Sequence, residues 1–220
     1  MPTPRLILAS SSPRRRALIR ELGVPVELRP VDVPEEPLPG ETPEQTAMRL
    51  ARVKAEAAAA QGGEGVVVAG DTIVVDRGRI LGKPRDAAEA RAMLRQLRGR
   101  EHRVITGLAL LDLATGRTDV RQVTTRVRMR DYPDAEIEAY IRSGVPLDRA
   151  GAYGIQDSQF GPVREIAGCY LNVVGLPLCA VARGLRRLGY TLPEGPYASG
   201  KCRCGELAEA TSAPGSSSHR

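Results

Sequence analysis

The segment Val66-Val67-Val68-Ala69-Gly70-Asp71-Thr72-Ile73-Val74-Val75 is a run of apolar, mostly β-branched residues with a carboxylate set into its middle. Branched side chains favour strands, and an unbroken apolar run suits a strand that is covered on both faces. The pattern predicts a buried strand over Val66 to Ala69, an interruption at Gly70-Asp71-Thr72, and a continuation over Ile73 to Val75. Such a strand must lie inside a sheet with other layers packed on it. A carboxylate placed there is poorly solvated, and buried acids are normally paired, hydrogen-bonded or metal-bound. Two readings of Asp71 stand open at this point. It is a functional acid, or it satisfies backbone donors at a bulge, which a Gly within a strand often marks.

The flanking sequence alternates between the two secondary-structure types. Arg5 to Ala9 reads as another buried strand, followed by a helix with Ser12 as N-cap, Pro13 at its first position and a stop at Gly23. Residues 24–41 are rich in Pro and Glu and read as strand edges and loop. Thr42-Pro43-Glu44-Gln45 has capping-box spacing and opens a second helix that runs through an alanine-rich stretch to Gly62-Gly63. After the turn Asp76-Arg77-Gly78-Arg79 come Ile80-Leu81, the loop Gly82-Lys83-Pro84, and a helix capped by Asp86 that ends near Leu97. His102 to Leu113 and Asp119 to Met129 form a long hairpin, its second strand wet on the face of Arg126 and Arg128. Helices are expected over Asp134 to Ser143 and Leu178 to Leu188, with turns and short strands in the glycine-rich region between them. Early alternation followed by a hairpin predicts an α/β fold with a mixed central sheet flanked by helices. Residues 191–220 are rich in Pro, Gly and Ser without apolar period, and are expected to be a disordered tail on a domain spanning 1–190.

Composition narrows the function classes. No apolar run approaches the ~18 residues of a membrane span, and the N-terminal residues lack a signal peptide's pattern, so the expected compartment is the cytoplasm. The four cysteines do not suggest a disulfide framework, and Cys202-Arg203-Cys204 lacks the second pair that a zinc site needs. Formal net charge is +6, and residues 1–30 hold six arginines against two glutamates. That field suits an anion. Aromatic residues are only 3% of the chain and Trp is absent, which disfavours a stacking platform for nucleic acid and leaves a small polyphosphate as the better partner.

Several residues fit a polyphosphate site, each with a plainer alternative. Ser10-Ser11-Ser12-Pro13-Arg14-Arg15 joins a buried strand to a helix start, where free N–H groups, hydroxyls and guanidinium groups attract anions. The same residues serve equally as a simple cap with solvated arginines. Lys54 and Lys83 read singly as surface lysines, and together as two ammonium groups neutralising a triphosphate. Glu35, with Asp32 and Glu36 near it, offers a carboxylate for metal binding or proton transfer, or a solvated loop acid. His102 has no Ser, Cys or acid motif around it and reads as a polar residue at a strand end.

Six segments taken in order resemble the Maf family of nucleoside triphosphate pyrophosphatases. They are Leu8-Ala9-Ser10-Ser11-Ser12-Pro13-Arg14-Arg15, Arg49-Leu50-Ala51-Arg52-Val53-Lys54-Ala55, Gly70-Asp71-Thr72-Ile73-Val74, Ile80-Leu81-Gly82-Lys83-Pro84, Ala150-Gly151-Ala152-Tyr153-Gly154-Ile155-Gln156 and Asn172-Val173-Val174-Gly175-Leu176-Pro177-Leu178. The resemblance implies two lobes around a deep cleft, a fold related to inosine triphosphate pyrophosphatases, a divalent cation such as Mg or Mn, and often a homodimer. It implies that Ser10, Arg14 and Arg15 bind phosphate, and that Lys54 and Lys83 lie in the triphosphate cleft. It makes Asp71 the proton acceptor, with Glu35 and Asp71 as metal ligands. Arg14, Thr72 and Gln156 match positions tied to substrate choice, and their identities resemble the branch acting on dTTP and UTP. Asp157 stands where the family usually has Gly. The implied reaction is hydrolysis to the monophosphate and pyrophosphate. The rivals are the same reaction on 7-methyl-GTP or on a broad range including modified nucleotides, and a non-catalytic nucleic-acid or septum-associated regulator.

Overall fold

The computed structural model describes residues 2–193. Strands β1 (Leu6–Leu8), β2 (Val26–Leu28), β3 (Val66–Asp76), β4 (Arg79–Leu81), β5 (Glu101–Asp112), β6 (Thr118–Met129) and β7 (Val163–Ala167) form one sheet. Its order is β2-β1-β3-β5-β6-β7, with β4 paired to β3. β1 runs parallel to both β2 and β3, while the remaining pairings are antiparallel. The mixed sheet expected from the sequence is therefore present. Most of the proposed tail, including Cys202 and Cys204, lies outside the described residues.

β3 departs from the expectation in one respect. It is a single strand of 11 residues with no bulge, and its register against β5 continues through Gly70↔Leu108, Asp71↔Gly107 and Thr72↔Thr106. The other edge of β3 is what breaks. β1 covers Val66 to Val68 and β4 covers Val74 to Asp76, so the stretch around Asp71 has no strand on that side. The segment looked interrupted because polar and small residues mark an open edge, while the β5 ladder keeps the backbone straight.

Strand alternation divides β3 between two faces. Val67, Ala69, Ile73 and Val75 pack towards α2 (Pro43–Ala59), a helix whose Ala47, Ala51, Ala55 and Ala58 make a stripe of small side chains. On the opposite face, Val66 and Val68 join a cluster with α1 (Pro13–Arg20) and the C-terminal helix, while Val74 joins a separate cluster with Leu94, Tyr140 and Tyr153. Two apolar cores thus share one sheet face, and the open edge of β3 falls between them. Local signals are largely as expected. Ser12 caps α1, and the Thr42–Gln45 capping box is complete at the start of α2. Asp86 caps α3 (Ala87–Leu97), which packs with α4 (Asp134–Arg142). The glycine-rich region holds β7, two short 3₁₀ turns (Val145–Asp148 and Ala150–Ala152) and an unanticipated five-residue helix α5 (Tyr170–Val174), ahead of α6 (Leu178–Leu188).

Candidate active site

A cleft of ≈ 420 Å³ opens at the uncovered edge of β3. The site residues implied by the Maf resemblance all line it: Ser10, Arg14, Arg15, Glu35, Lys54, Asp71, Thr72, Lys83 and Gln156; Asp32, Glu36 and His102 do not. They come from the β1–α1 junction, the loop before α2, α2 itself, β3, the loop after β4, and the segment that follows the 3₁₀ turns. These stretches are spread from residue 10 to residue 156, so the cleft is a product of the sheet topology.

On the α2 side, Lys54 lies four residues after Leu50 and seven after Ala47, and so falls on the buried stripe of the helix. Its ammonium group reaches Asp71 Oδ1 at 2.6 Å and Glu35 Oε1 at 2.5 Å. The side chains of Lys54 and Asp71 are only 9% and 10% exposed, whereas Glu35 is 65% exposed. Asp71 is therefore a buried acid with a buried partner, and the bulge reading falls away. Losing Lys54 would leave a carboxylate stranded in poorly solvated surroundings.

Gly107, opposite Asp71 on β5, makes this arrangement possible. A Cβ at Gly107 would lie 2.0 Å from Ala47 O and 2.7 Å from Met48 N. The backbone of α2 rests directly on β5 at that point, which brings Lys54 down onto Asp71. Sequence reading did not single out Gly107. The only signal was a glycine within an otherwise apolar strand.

On the opposite face, Arg15 donates from Nε to Gly175 O at 2.8 Å and from Nη2 to Thr72 Oγ1 at 3.0 Å. Thr72 Oγ1 also lies 2.9 Å from Thr106 Oγ1, and Thr106 Oγ1 donates to Asn172 O at 3.4 Å. Asn172 is buried and donates from Nδ2 to Val104 O and Thr125 Oγ1. Arg15 is thus fixed by a polar network under the cleft floor. Burial holds its guanidinium below the ordinary arginine value, against the opposing pull of Asp71 and Glu35. Ser10 is buried, and its Oγ accepts from Ser12 N at 3.2 Å, shaping the turn into α1.

The far wall carries Lys83, Asp148, Arg149 and Gln156. Lys83 Nζ pairs with Asp148 Oδ1 at 2.5 Å. Arg14 is held below the ordinary arginine value first by burial and then by Arg149, while Asp148 pushes it up. Asp157, after Gln156, accepts a short hydrogen bond from Tyr140 OH and lies 3.5 Å from Arg149 Nη2. Asp148 and Arg149 escaped the sequence reading, although they directly precede the segment Ala150 to Gln156. Among the described residues no group of three or more His, Cys, Asp and Glu side chains forms a metal cluster. Glu35 and Asp71 do converge on one cation, the Lys54 ammonium, and so can share a positive charge.

Residues 5–188 match the sequence profile of the family described as Maf-like protein. The chain belongs to the Maf family. Maf relatives with similar sequences include the dTTP/UTP pyrophosphatase of Geobacter sulfurreducens, 49% identical over 84% of this chain and 97% of that protein. A dTTP/UTP pyrophosphatase of Thermomicrobium roseum is 51% identical over 84% of each chain, and one from Anaeromyxobacter dehalogenans is 48% identical over 86% of this chain and 97% of its own. A solved structure, that of the Staphylococcus aureus Ham1 protein, is similar at TM-score 0.42 and 18% identity, covering 58% of this chain and 72% of that one. No helix among the described residues is long and apolar enough to cross a membrane.

Proposed function

We propose that this chain hydrolyses dTTP and UTP to the monophosphate and pyrophosphate, as the names of its Maf relatives state for them. The observation that carries the reading is the buried Asp71–Lys54 pair on the floor of a cleft ringed by Arg14, Arg15, Lys83 and Arg149. A triphosphate supplies the negative charge that this ring requires, and hydrolysis needs a carboxylate beside the attacked phosphorus.

In the proposed step, a water oxygen bonds to the α-phosphorus and the bond to the β-bridging oxygen breaks, its electron pair leaving with pyrophosphate. Asp71 takes the proton from the water. Lys54 orients the Asp71 carboxylate through Oδ1, which leaves Oδ2 as the proton-accepting oxygen. Arg14, Arg15 and Lys83 hold the phosphates and neutralise charge that develops on the leaving group. Thr72 and Gln156, which both line the cleft, set the choice of nucleoside together with Arg14. Glu35 and Asp71 are the residues that would hold a divalent cation, since they already converge on one positive charge. Such a cation, when bound, polarises the phosphate oxygens and neutralises their charge. The cytoplasm is the proposed compartment, and a homodimer the proposed assembly.

Incubation with magnesium or manganese and a panel of nucleoside triphosphates tests the reading. Expected products are the monophosphate and pyrophosphate, with dTTP and UTP turned over ahead of 7-methyl-GTP. Orthophosphate as the only inorganic product would overturn the cleavage site.

A further inference from the structure

The cationic wall of the cleft already holds a carboxylate. Asp148 lies at the end of the first 3₁₀ turn, and its Oδ1 accepts from Lys83 Nζ at 2.5 Å. Arg14 and Arg149 act on it through space, Arg149 also lying 3.5 Å from Asp157 Oδ1. Together with Lys83 they hold its carboxyl below the usual carboxylate range, the Lys83 hydrogen bond contributing most. Asp148, Arg14, Arg149 and Lys83 all line the one cleft. An anion paired with one cation and within the field of two others, inside a site for a polyanion, occupies a place that a phosphate group would take.

The Lys83–Asp148 pair is also easy to open. The two side chains are 64% and 77% exposed, and ion pairs this exposed contribute little to stability. The Lys54–Asp71 pair differs, because both of its groups are buried. The Lys54–Asp71 pair is built to stay and the Lys83–Asp148 pair to exchange.

We propose that Asp148 is an internal counter-ion for Arg14, Lys83 and Arg149, displaced by the substrate's β- and γ-phosphates, and that Arg149 is a further phosphate-binding residue. The inference rests on the reading of this cleft as a triphosphate site. The carboxylate keeps three like charges from repelling one another in the nucleotide-free protein. It also sets a threshold on charge. A triphosphate carries enough negative charge to replace it, and when its β- and γ-phosphates have become pyrophosphate the carboxylate competes for the same cations, which favours release of that product.

The test uses the full chain and its Asp148→Asn, Asp148→Glu and Arg149→Ala variants, with calorimetric binding of inorganic tripolyphosphate and steady-state kinetics on dTTP. Asp148→Asn should tighten tripolyphosphate binding roughly three- to fivefold, the scale of one exposed charge pair. It should lower the KM for dTTP in parallel while kcat does not rise. Asp148→Glu keeps the charge and should restore wild-type affinity, and Arg149→Ala should weaken binding. A purely structural role for Asp148 would weaken binding in the Asn variant or lower its melting temperature. Unchanged or weaker tripolyphosphate binding by Asp148→Asn, at an unchanged melting temperature, would overturn the proposal. So would equal tightening by the Asn and Glu variants. If tripolyphosphate binding shifts as described but no nucleotide is hydrolysed, the counter-ion stands and the proposed reaction fails.

Discussion

Gly107→Ala should disable the site without touching any side chain in it. The added Cβ would lie 2.0 Å from Ala47 O and 2.3 Å from Ala47 C. An ordinary carbon–oxygen contact is about 3.3 Å or more, so α2 must withdraw from β5 by roughly 1 Å. Both partners are backbone, and no rotamer change relieves the clash. Overpacking of this kind costs about 1–3 kcal/mol, and a backbone collision belongs at the upper end. For a chain of this size, about 3 kcal/mol lowers the melting temperature by roughly 6–12 °C. The same withdrawal lifts Lys54 away from Asp71, and misplacement of about 1 Å can cost on the order of 100-fold in rate. Gly70→Ala is the control. It lies one register position from the Asp71↔Gly107 pair on β3, and its Cβ would meet Gly107 O at 3.5 Å and Arg15 Nε and Leu176 Cδ1 at 3.7 Å, all ordinary contacts. That variant should melt within a few degrees of the wild type. Thermal melts and dTTP kinetics on the pair decide the matter. A Gly107→Ala protein with wild-type melting temperature and kcat, or a Gly70→Ala protein as damaged as it, would refute the packing argument.

Three further outcomes are expected. Asp71→Asn should fold but lose roughly 100- to 10,000-fold in kcat, the range for losing a general base, and near-full activity would remove that role. Arg15→Lys cannot serve Gly175 O and Thr72 Oγ1 with one planar fork, so the KM for dTTP should rise about tenfold or more; an unchanged KM would show that the network does not position Arg15 for substrate. His102 is buried, its Nε2 lies 2.7 Å from Tyr153 OH, and Nδ1 has no protein partner among the described residues, so burial depresses its pKa to about 4 while Asp76 opposes. The unfolded chain then binds the extra proton first. The stability from neutral His102 is complete above pH ~6.5 and is lost as pH falls towards 4, about 2 kcal/mol of it by pH 5; His102→Gln should flatten this loss in melts from pH 8 to 5, and an equal loss in the variant would exclude the histidine.

The elements were legible because their signals are local. Ser12, Thr42 with Gln45, and Asp86 announce helix starts that the structure keeps, and the apolar runs announce β1 and β3. The candidate site was legible only through motif order, because each residue alone has an ordinary surface explanation. What escaped depends on distant packing. Gly70 drew notice because it stands beside an acid, yet the structure leaves room at Gly70 and none at Gly107. The burial of His102 follows from Tyr153, 51 residues away, and no local pattern carries that pairing. Asp148 looks like any loop acid until Lys83, 65 residues away, is placed against it.

The open edge of β3 explains why these residues share a cleft at all. A strand interior normally has a neighbour on each side, and its side chains are divided between two separate faces. Here β1 stops at Leu8 and β4 begins its pairing at Val74, so the stretch around Asp71 borders a space reachable from both faces. Asp71 enters it from the α2 face and Thr72 from the face of α1 and α5. Consecutive residues can then address different parts of one ligand, an acid on one side and a hydroxyl-anchored arginine on the other. Lengthening β1 through Ala9 and Ser10 would close the gap and separate the two halves. The turn held by Ser10 Oγ and Ser12 N prevents this by diverting the chain at residues 10–12 into α1, which starts at Pro13. The same turn that points Arg14 and Arg15 at the cleft is therefore what keeps the cleft open.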